Sequence, residues 1–182
     1  PATDGERLFT FFATTGSVIA WDLDGTELWE TNVGSYKSGN GFGTGSSLAI
    51  TDGKVFVQSD NDENSFLVSF DAKTGEQVWR DDRPPKTSWS TPIVWKTDGT
   101  SELVTCGGGV VTSYDPIDGR VLWKLRGMQS SFSASPAIGA DRIYFGMSGP
   151  GSAGPLVAFP AGLRGEIKLN DKFESDQIAW SM

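Results

Sequence analysis

Ser69-Phe70-Asp71-Ala72-Lys73-Thr74-Gly75-Glu76-Gln77-Val78-Trp79 decides the fold, because the chain writes the same pattern on either side of it. Ala20-Trp21-Asp22-Leu23-Asp24-Gly25-Thr26-Glu27-Leu28-Trp29 precedes it, and Ser113-Tyr114-Asp115-Pro116-Ile117-Asp118-Gly119-Arg120-Val121-Leu122-Trp123 follows. A worn fourth copy runs from Ala158-Phe159-Pro160 to Gly165-Glu166-Ile167-Lys168-Leu169, with Leu169 where a Trp would fall. The glycines at 25, 75, 119 and 165 stand 50, 44 and 46 residues apart. A period in the forties, with each unit made of short strands, is the signature of a β-propeller blade.

The residue types in the motif have separate jobs. Asp22, Asp71 and Asp115 can bond the backbone of their own turn, and Gly25, Gly75 and Gly119 supply the left-handed conformation the hairpin needs. Four residues after each glycine, Trp29, Trp79 and Trp123 fall on the outermost strand. An indole there can bury a large apolar area and still donate its N–H at the seam between blades. The small residue two before each Asp (Ala20, Ser69, Ser113) leaves room for a large ring. The aromatics therefore read as packing between blades and not as a ligand platform.

Around the motif, each unit reads as four short antiparallel strands. The innermost strands are expected at Thr44–Ile50, Ser90–Val94 and Ser133–Ile138. Second strands follow at Lys54–Val57, Glu102–Thr105 and Arg142–Phe145, and third strands at Phe66–Phe70, Val110–Tyr114 and Leu156–Phe159. Thr51-Asp52-Gly53, Thr97-Asp98-Gly99 and Lys73-Thr74-Gly75 are turn sequences. The first unit, about 7–33, shows strands two to four without an innermost strand. Blades are expected at about 44–80, 89–125 and 132–169. Ile178–Met182 looks like the opening of a further innermost strand (177–182), since Trp180-Ser181 repeats Trp89-Ser90. Residues 1–182 thus read as one propeller segment. Either it is a slice of a ring of about seven or eight blades, or its last strand closes a ring of four. The slice is the favoured reading. Its open edges would then be sticky, and two copies could exchange Ile178–Met182 onto Arg7–Phe12 as a homodimer.

Composition narrows the function. Gly makes up 23 of 182 residues, near twice the usual share of about 7%, in keeping with a turn-rich all-β chain. The formal net charge of -8 opposes nucleic-acid binding, which needs a basic face. No apolar run is long enough for a membrane helix. Histidine is absent, which removes the commonest general base and metal ligand.

The pattern Ala/Ser-aromatic-Asp-x-x-Thr/Asp-Gly-x-x-x-Trp resembles the PQQ-like (pyrroloquinoline quinone) repeat with its tryptophan-docking motif. That family includes quinoprotein alcohol dehydrogenases and the BamB-like propellers of outer-membrane protein assembly. The resemblance implies that Trp29, Trp79 and Trp123 stack against a neighbouring blade, and that the location is periplasmic or otherwise extracytoplasmic. The fourth copy departs from the family pattern at Pro160 and Leu169. In catalytic members a vicinal Cys–Cys disulfide lies over the quinone, with Ca²⁺ held by Glu, Asn and Asp. Here Cys106 is the one cysteine, and it reads as a buried strand residue.

Other candidates are weaker. Asp60, Asp62 and Asn64 have the alternate spacing of the first half of a calcium loop, but Ser65 stands where its glycine should be, so a solvated hairpin loop is expected. Gly39–Gly45 and Gly107-Gly108-Gly109 lack the Lys-Ser/Thr of a phosphate cradle. Asp24 with Glu27, and Asp81 with Asp82, are carboxylate neighbours and nothing more. The expectation is a non-catalytic propeller acting as a protein-interaction or scaffold module, with no catalytic, cofactor or metal residues and no bound cofactor. A quinoprotein dehydrogenase fragment and a sensor ectodomain are the alternatives; the protein partner is unknown.

Overall fold

The structure, a computed structural model, describes residues 1–97, 99–128, 132–149 and 152–182. Among them, the longest helical segment is a single 3-10 turn at Gly39–Gly41. The rest of the regular structure is strand. The first sheet is β1 (Ala2–Thr3), β2 (Arg7–Phe12), β3 (Ser17–Asp22) and β4 (Glu27–Asn32), in that order. The second repeats the meander with β5 (Ala49–Thr51), β6 (Lys54–Ser59), β7 (Ser65–Asp71) and β8 (Gln77–Arg83). The third contains β9 (Ile93–Thr97), β10 (Thr100–Gly107), β11 (Val110–Tyr114) and β12 (Val121–Arg126). The fourth is built on β13 (Ala137–Ile138), β14 (Arg142–Gly149) and β15 (Ser152–Pro160).

Apolar residues on facing sheets make one core per seam. Phe9, Val18, Val55, Val57, Phe66 and Val68 fill the first seam. Phe56, Leu67, Leu103 and Tyr114 fill the second. The third holds the largest cluster, including Trp95, Trp123, Leu125, Phe145 and Phe159. Burying aromatic and branched side chains at about 25 cal/mol per Å² is the main force holding sheet to sheet.

The repeated motif forms an aspartate-anchored hairpin each time. It is one residue shorter in the first copy, where the Asp22 N–H donates to the Thr26 carbonyl, than in the second, where the Asp71 N–H donates to the Glu76 carbonyl. In the second sheet, Asp71 Oδ1 accepts the backbone N–H of Lys73 and of Thr74, both at 2.8 Å. The Gly75 N–H then donates to the Asp71 carbonyl at 2.9 Å. Asp22 Oδ1 accepts from the N–H of Asp24 at 3.0 Å and of Thr26 at 2.7 Å. Asp115 Oδ1 accepts from the Ile117 N–H at 3.0 Å. Just before each Asp the register slips, at Ala20/Trp21, Ser69/Phe70 and Ser113/Tyr114. A β-bulge of this kind adds local twist, and here it recurs in every intact copy. The turn at Asp52-Gly53 has positive φ at both residues, 50° and 69°, the geometry of a type I′ hairpin. Asp98 of the expected Thr97-Asp98-Gly99 turn lies outside the described residues.

Three strand expectations need correction. The first sheet does have an innermost strand: Ala2 pairs with Phe9 and Thr3 with Leu8. It was hidden by its length, two residues before an Asp4-Gly5 turn in which Asp4 Oδ1 accepts the Arg7 N–H at 2.7 Å. The inner strands β5, β9 and β13 also begin later than expected, because the small polar residues ahead of them bond the adjacent sheet instead. Ser46 Oγ donates to the Ser90 carbonyl at 2.7 Å, the Ser47 N–H to Thr91 Oγ1 at 2.9 Å, and the Thr91 N–H to Ser135 Oγ at 2.9 Å.

The third correction concerns the worn copy. β16 (Gly165–Lys168) does not fold back on β15; it pairs parallel with β12, Trp123 opposite Gly165 and Leu125 opposite Ile167. With Pro160 in place of Asp, no carboxylate ties the turn, and Leu163 is drawn into the third seam. The outer place beside β15 goes to β17 (Trp180–Ser181), paired antiparallel with Val157 and Ala158. Ile178–Met182 therefore does not open a further innermost strand, and the segment required for the exchanged homodimer is paired within its own chain.

Hydrogen bonds from the turn N–H groups, first from Thr74, hold the Asp71 carboxyl below its usual range, as those from Thr26 do for Asp22. A lowered folded-state value means stability that is complete above the unfolded value, near 3.8, and lost as pH falls through the folded one. Thermal melts from pH 6 to about 2.5 should show the midpoint dropping below about pH 4, with a shallower drop in Asp71→Asn. An unchanged slope in the variant would remove Asp71 from the acid response.

Candidate functional site

The residues singled out by the repeat meet at the seams. Trp29 leaves the first sheet and lies on the hairpin of the second: its Nε1–H donates to the Ala72 carbonyl at 3.2 Å. A Cβ added at Gly75 would come within 2.7 Å of the indole carbons. Trp79 repeats this one sheet later, donating to the Pro116 carbonyl at 3.2 Å and covering Gly119, where a Cβ would again fall 2.7 Å from the ring. Both glycines have positive φ, 74° and 77°. The motif glycine thus serves two purposes, the left-handed turn and a flat floor for the neighbouring sheet's indole. Phe56 at 5.8 Å and Tyr114 at 6.0 Å enclose the ring of Trp79 from its own sheet and the next.

Trp123 behaves differently. It is wholly buried, but its Nε1–H donates to Glu102 Oε2 at 2.7 Å within its own sheet, and nothing approaches the Cβ direction of Gly165 within 4 Å. The ring meets Phe145 of the fourth sheet edge-on, with centroids 6.4 Å apart. Glu102 is 2% exposed and also accepts from Ser113 Oγ at 2.7 Å and Arg164 Nη1 at 3.1 Å. The sequence carried a signal for this carboxylate, a lone Glu at the head of Leu103-Val104-Thr105.

A second polar cluster spans the seam between the second and third sheets. Asp60 is 2% exposed and Asn61 1%, so the stretch expected as a solvated loop begins inside the protein. Asp60 is ion-paired with Arg83 and accepts from Gln58 Nε2 at 2.7 Å. Arg83 Nη1 donates onward to Thr105 Oγ1 at 3.1 Å. Gly107 is required here, since a Cβ would run into the Asp60 carboxylate. Burial pushes the Asp60 carboxyl up, against the pull of the guanidinium. Asp62 is taken by Thr87, whose hydroxyl donates to Oδ1 at 2.6 Å, and Asn64 Nδ2 points to Tyr36 Oη at 3.3 Å. Asp60, Asp62 and Asn64 therefore do not converge on one point. Among the described residues, no group of three or more acidic, Cys or His side chains converges as a metal site.

Cys106 is 1% exposed, and burial pushes its thiol well above the ordinary range, opposite to the lowered value of a reactive cysteine. Of the carboxylate neighbours, Asp81 accepts from the Tyr114 hydroxyl at 2.7 Å and Asp82 from Arg80 Nε at 2.7 Å. Asp81 and Asp82 are thus engaged by different partners.

Four successive antiparallel meanders, the third joined by the parallel β16, with the motif indoles of the first two laid on the next hairpin, define a β-propeller of PQQ-like repeats. A profile of the family described as outer membrane protein assembly factor BamB matches residues 1–178, and the chain belongs to that family. In fold it is similar to BamB from Moraxella catarrhalis, at 16% identity and TM-score 0.61, over 100% of this chain and 46% of that one. A europium-containing methanol dehydrogenase matches with TM-score 0.60 at 15% identity, over 97% of this chain and 40% of that one. The quinohemoprotein alcohol dehydrogenase ADHIIG from Pseudomonas putida HK5 matches with TM-score 0.60 at 18% identity, over 97% and 32%. The chain spans less than half the length of each of these structures. Comparison of the sequence with curated proteins finds no match.

Removing one partner of a buried ion pair leaves the other charge uncompensated, at a cost of about 3–5 kcal/mol. Arg83→Met should destabilise by about that amount in urea titrations, and Asp60→Leu in the same chain should recover most of the loss. If the double variant is no more stable than the single one, the pair does not hold the seam.

Proposed function

We propose that the chain acts as a non-catalytic protein-interaction or scaffold module of a periplasmic or otherwise extracytoplasmic propeller. The observation that carries this reading is where the polar and aromatic residues go. The motif Asp, Gly and Trp residues are used in hairpins and seams, and the buried carboxylates Glu102 and Asp60 are each held by an arginine. What remains variable between repeats is the set of loops at the sheet ends, which a rigid propeller presents to partners. Membership of the BamB family supports the same assignment. In this role Trp29 and Trp79, with Gly75 and Gly119, act as the docking motif that fixes the spacing of the loops.

A quinoprotein dehydrogenase fragment is the second reading, favoured by the comparable likeness to a methanol dehydrogenase and a quinohemoprotein alcohol dehydrogenase. Thermal melts with PQQ and Ca²⁺ added together separate the two. A ligand at a hundred times its Kd stabilises by about 2.7 kcal/mol. The scaffold reading predicts an unchanged midpoint; a clear upward shift that needs both additions would overturn it in favour of a quinone site.

A further inference from the structure

Trp180 holds in the fourth sheet the place that the seam indoles hold in the first and second. Trp29 stands opposite Ala20 and Trp79 opposite Ser69, the small residue two before the motif aspartate. Trp180 stands opposite Ala158, the corresponding residue of the worn copy. On the other side, the small residue is paired with an aromatic in each case: Phe9, Phe56 and Tyr144. The ring geometry is the same three times. Phe9 meets Trp29 at 6.0 Å and 44°, Phe56 meets Trp79 at 5.8 Å and 42°, and Tyr144 meets Trp180 at 6.0 Å and 43°. β17 thus restores, from further along the chain, the indole that the worn copy lacks. Trp29 and Trp79 give their N–H to the carbonyls of Ala72 and Pro116. Among the described residues Trp180 Nε1 has no such acceptor, and the side chain is 36% exposed.

The missing half of that contact lies at the other end of the fold. In each indole-on-glycine seam the tryptophan of one sheet covers the glycine hairpin of the next in chain order. Gly25 heads this series uncovered: its φ is 88°, and nothing lies within 4 Å of its Cβ direction. Its hairpin is one residue shorter than the second but is held by Asp22 in the same manner. Leu23 follows that aspartate as Ala72 and Pro116 follow theirs. The sheet faces around both halves are apolar and exposed. Leu8 and Phe12 stand on the face of β2 turned away from buried Phe9, and Leu156 and Met182, bonded to each other, lie beside Trp180. Such area is worth about 25 cal/mol per Å² when removed from water.

We propose that Trp180 of one copy lies on Gly25 of a second copy, and that the second copy's indole lies on the first copy's glycine, so that two chains close head to tail without exchanging strands. The indole N–H would then reach the Leu23 carbonyl. A second copy is the occupant because it carries both missing halves, an open glycine hairpin and an unlaid indole. Extent agrees: this chain corresponds to 46% of the Moraxella catarrhalis BamB chain, so two copies match nearly one such chain. Two sets of four sheets stay within the range of about four to eight blades seen in propellers. A head-to-tail contact whose rotation closes gives a ring and not a filament. The loops at the sheet ends stay free, so the pairing is independent of any partner bound there.

Light scattering after size exclusion tests the pairing on the chain itself. At about 50 μM the protein should elute with twice the chain mass, with a Kd below about 10 μM. Trp180→Ala and Gly25→Asn should each weaken pairing at least about tenfold, as loss of a central tryptophan contact does. Asparagine accepts the left-handed turn, and its side chain covers the glycine floor. Mixed in equal amounts, the two variants should pair more tightly than either alone, because the mixed dimer keeps one intact seam. A monomer, a mass that climbs past two chains, or a mixture no tighter than its components would each overturn the proposal. If a variant fails to fold, hydrogen exchange on the unaltered chain decides. Raising the concentration should protect the hairpin at 22–28 and the strand at 178–182; protection confined to other segments would overturn the assignment.

Discussion

The contact on which the rest depends is an indole face laid against a glycine of the next sheet. A four-stranded meander has two apolar faces and cannot bury them alone. Each sheet must therefore meet its neighbour at a fixed distance and angle. Trp29 on Gly75 and Trp79 on Gly119 set both, because the ring sits where a Cβ would be and its N–H reaches a carbonyl of the same hairpin. The hairpin is in turn held by its own aspartate and bulge. One eleven-residue segment thus supplies the turn of one sheet and the floor for another's tryptophan.

Along the inner rim a second set of contacts runs at the same spacing. The hydroxyls of Ser46, Thr91 and Ser135 join backbone to side chain across successive sheets. The outer indoles and the inner hydroxyls pin each seam at two radii, with the apolar clusters between them. Where the outer pin is missing, the chain finds another solution. Trp123 is turned inward to Glu102, and β16 crosses to pair with β12. The third seam is closed by a parallel strand and a large apolar cluster in place of an indole on glycine.

The period, the turns and the position of each tryptophan were legible in the sequence because they rest on local rules: an Asp and a Gly at fixed offsets, and an aromatic four residues on. Three things were not. The strand Ala2–Thr3 is too short to show periodicity. The serines and threonines before β5, β9 and β13 look like strand beginnings, since nothing local says that their partners lie 44 residues away in Ser90 and Thr91. The route of the chain after Pro160 depends on the loss of a capping carboxylate, which the sequence displays but whose outcome is tertiary. The candidate site divides in the same way. Trp29, Trp79, Gly75 and Gly119 could be named in advance, whereas Asp60 looked like part of a solvated loop, because its burial depends on Arg83, 23 positions along the chain.

A double-mutant cycle on Trp79 and Gly119 tests the central claim most directly. Gly119→Ala places a methyl group against the indole and strains a backbone at φ 77°. In a Trp79→Ala background the methyl has room, and only the backbone strain remains. The account predicts that the two substitutions are strongly non-additive in urea unfolding, with a coupling above about 1 kcal/mol, within the range of about 0.5–3 kcal/mol found for residues in contact. Additivity within about 0.3 kcal/mol, as for distant sites, would mean that the indole and the glycine do not hold the seam.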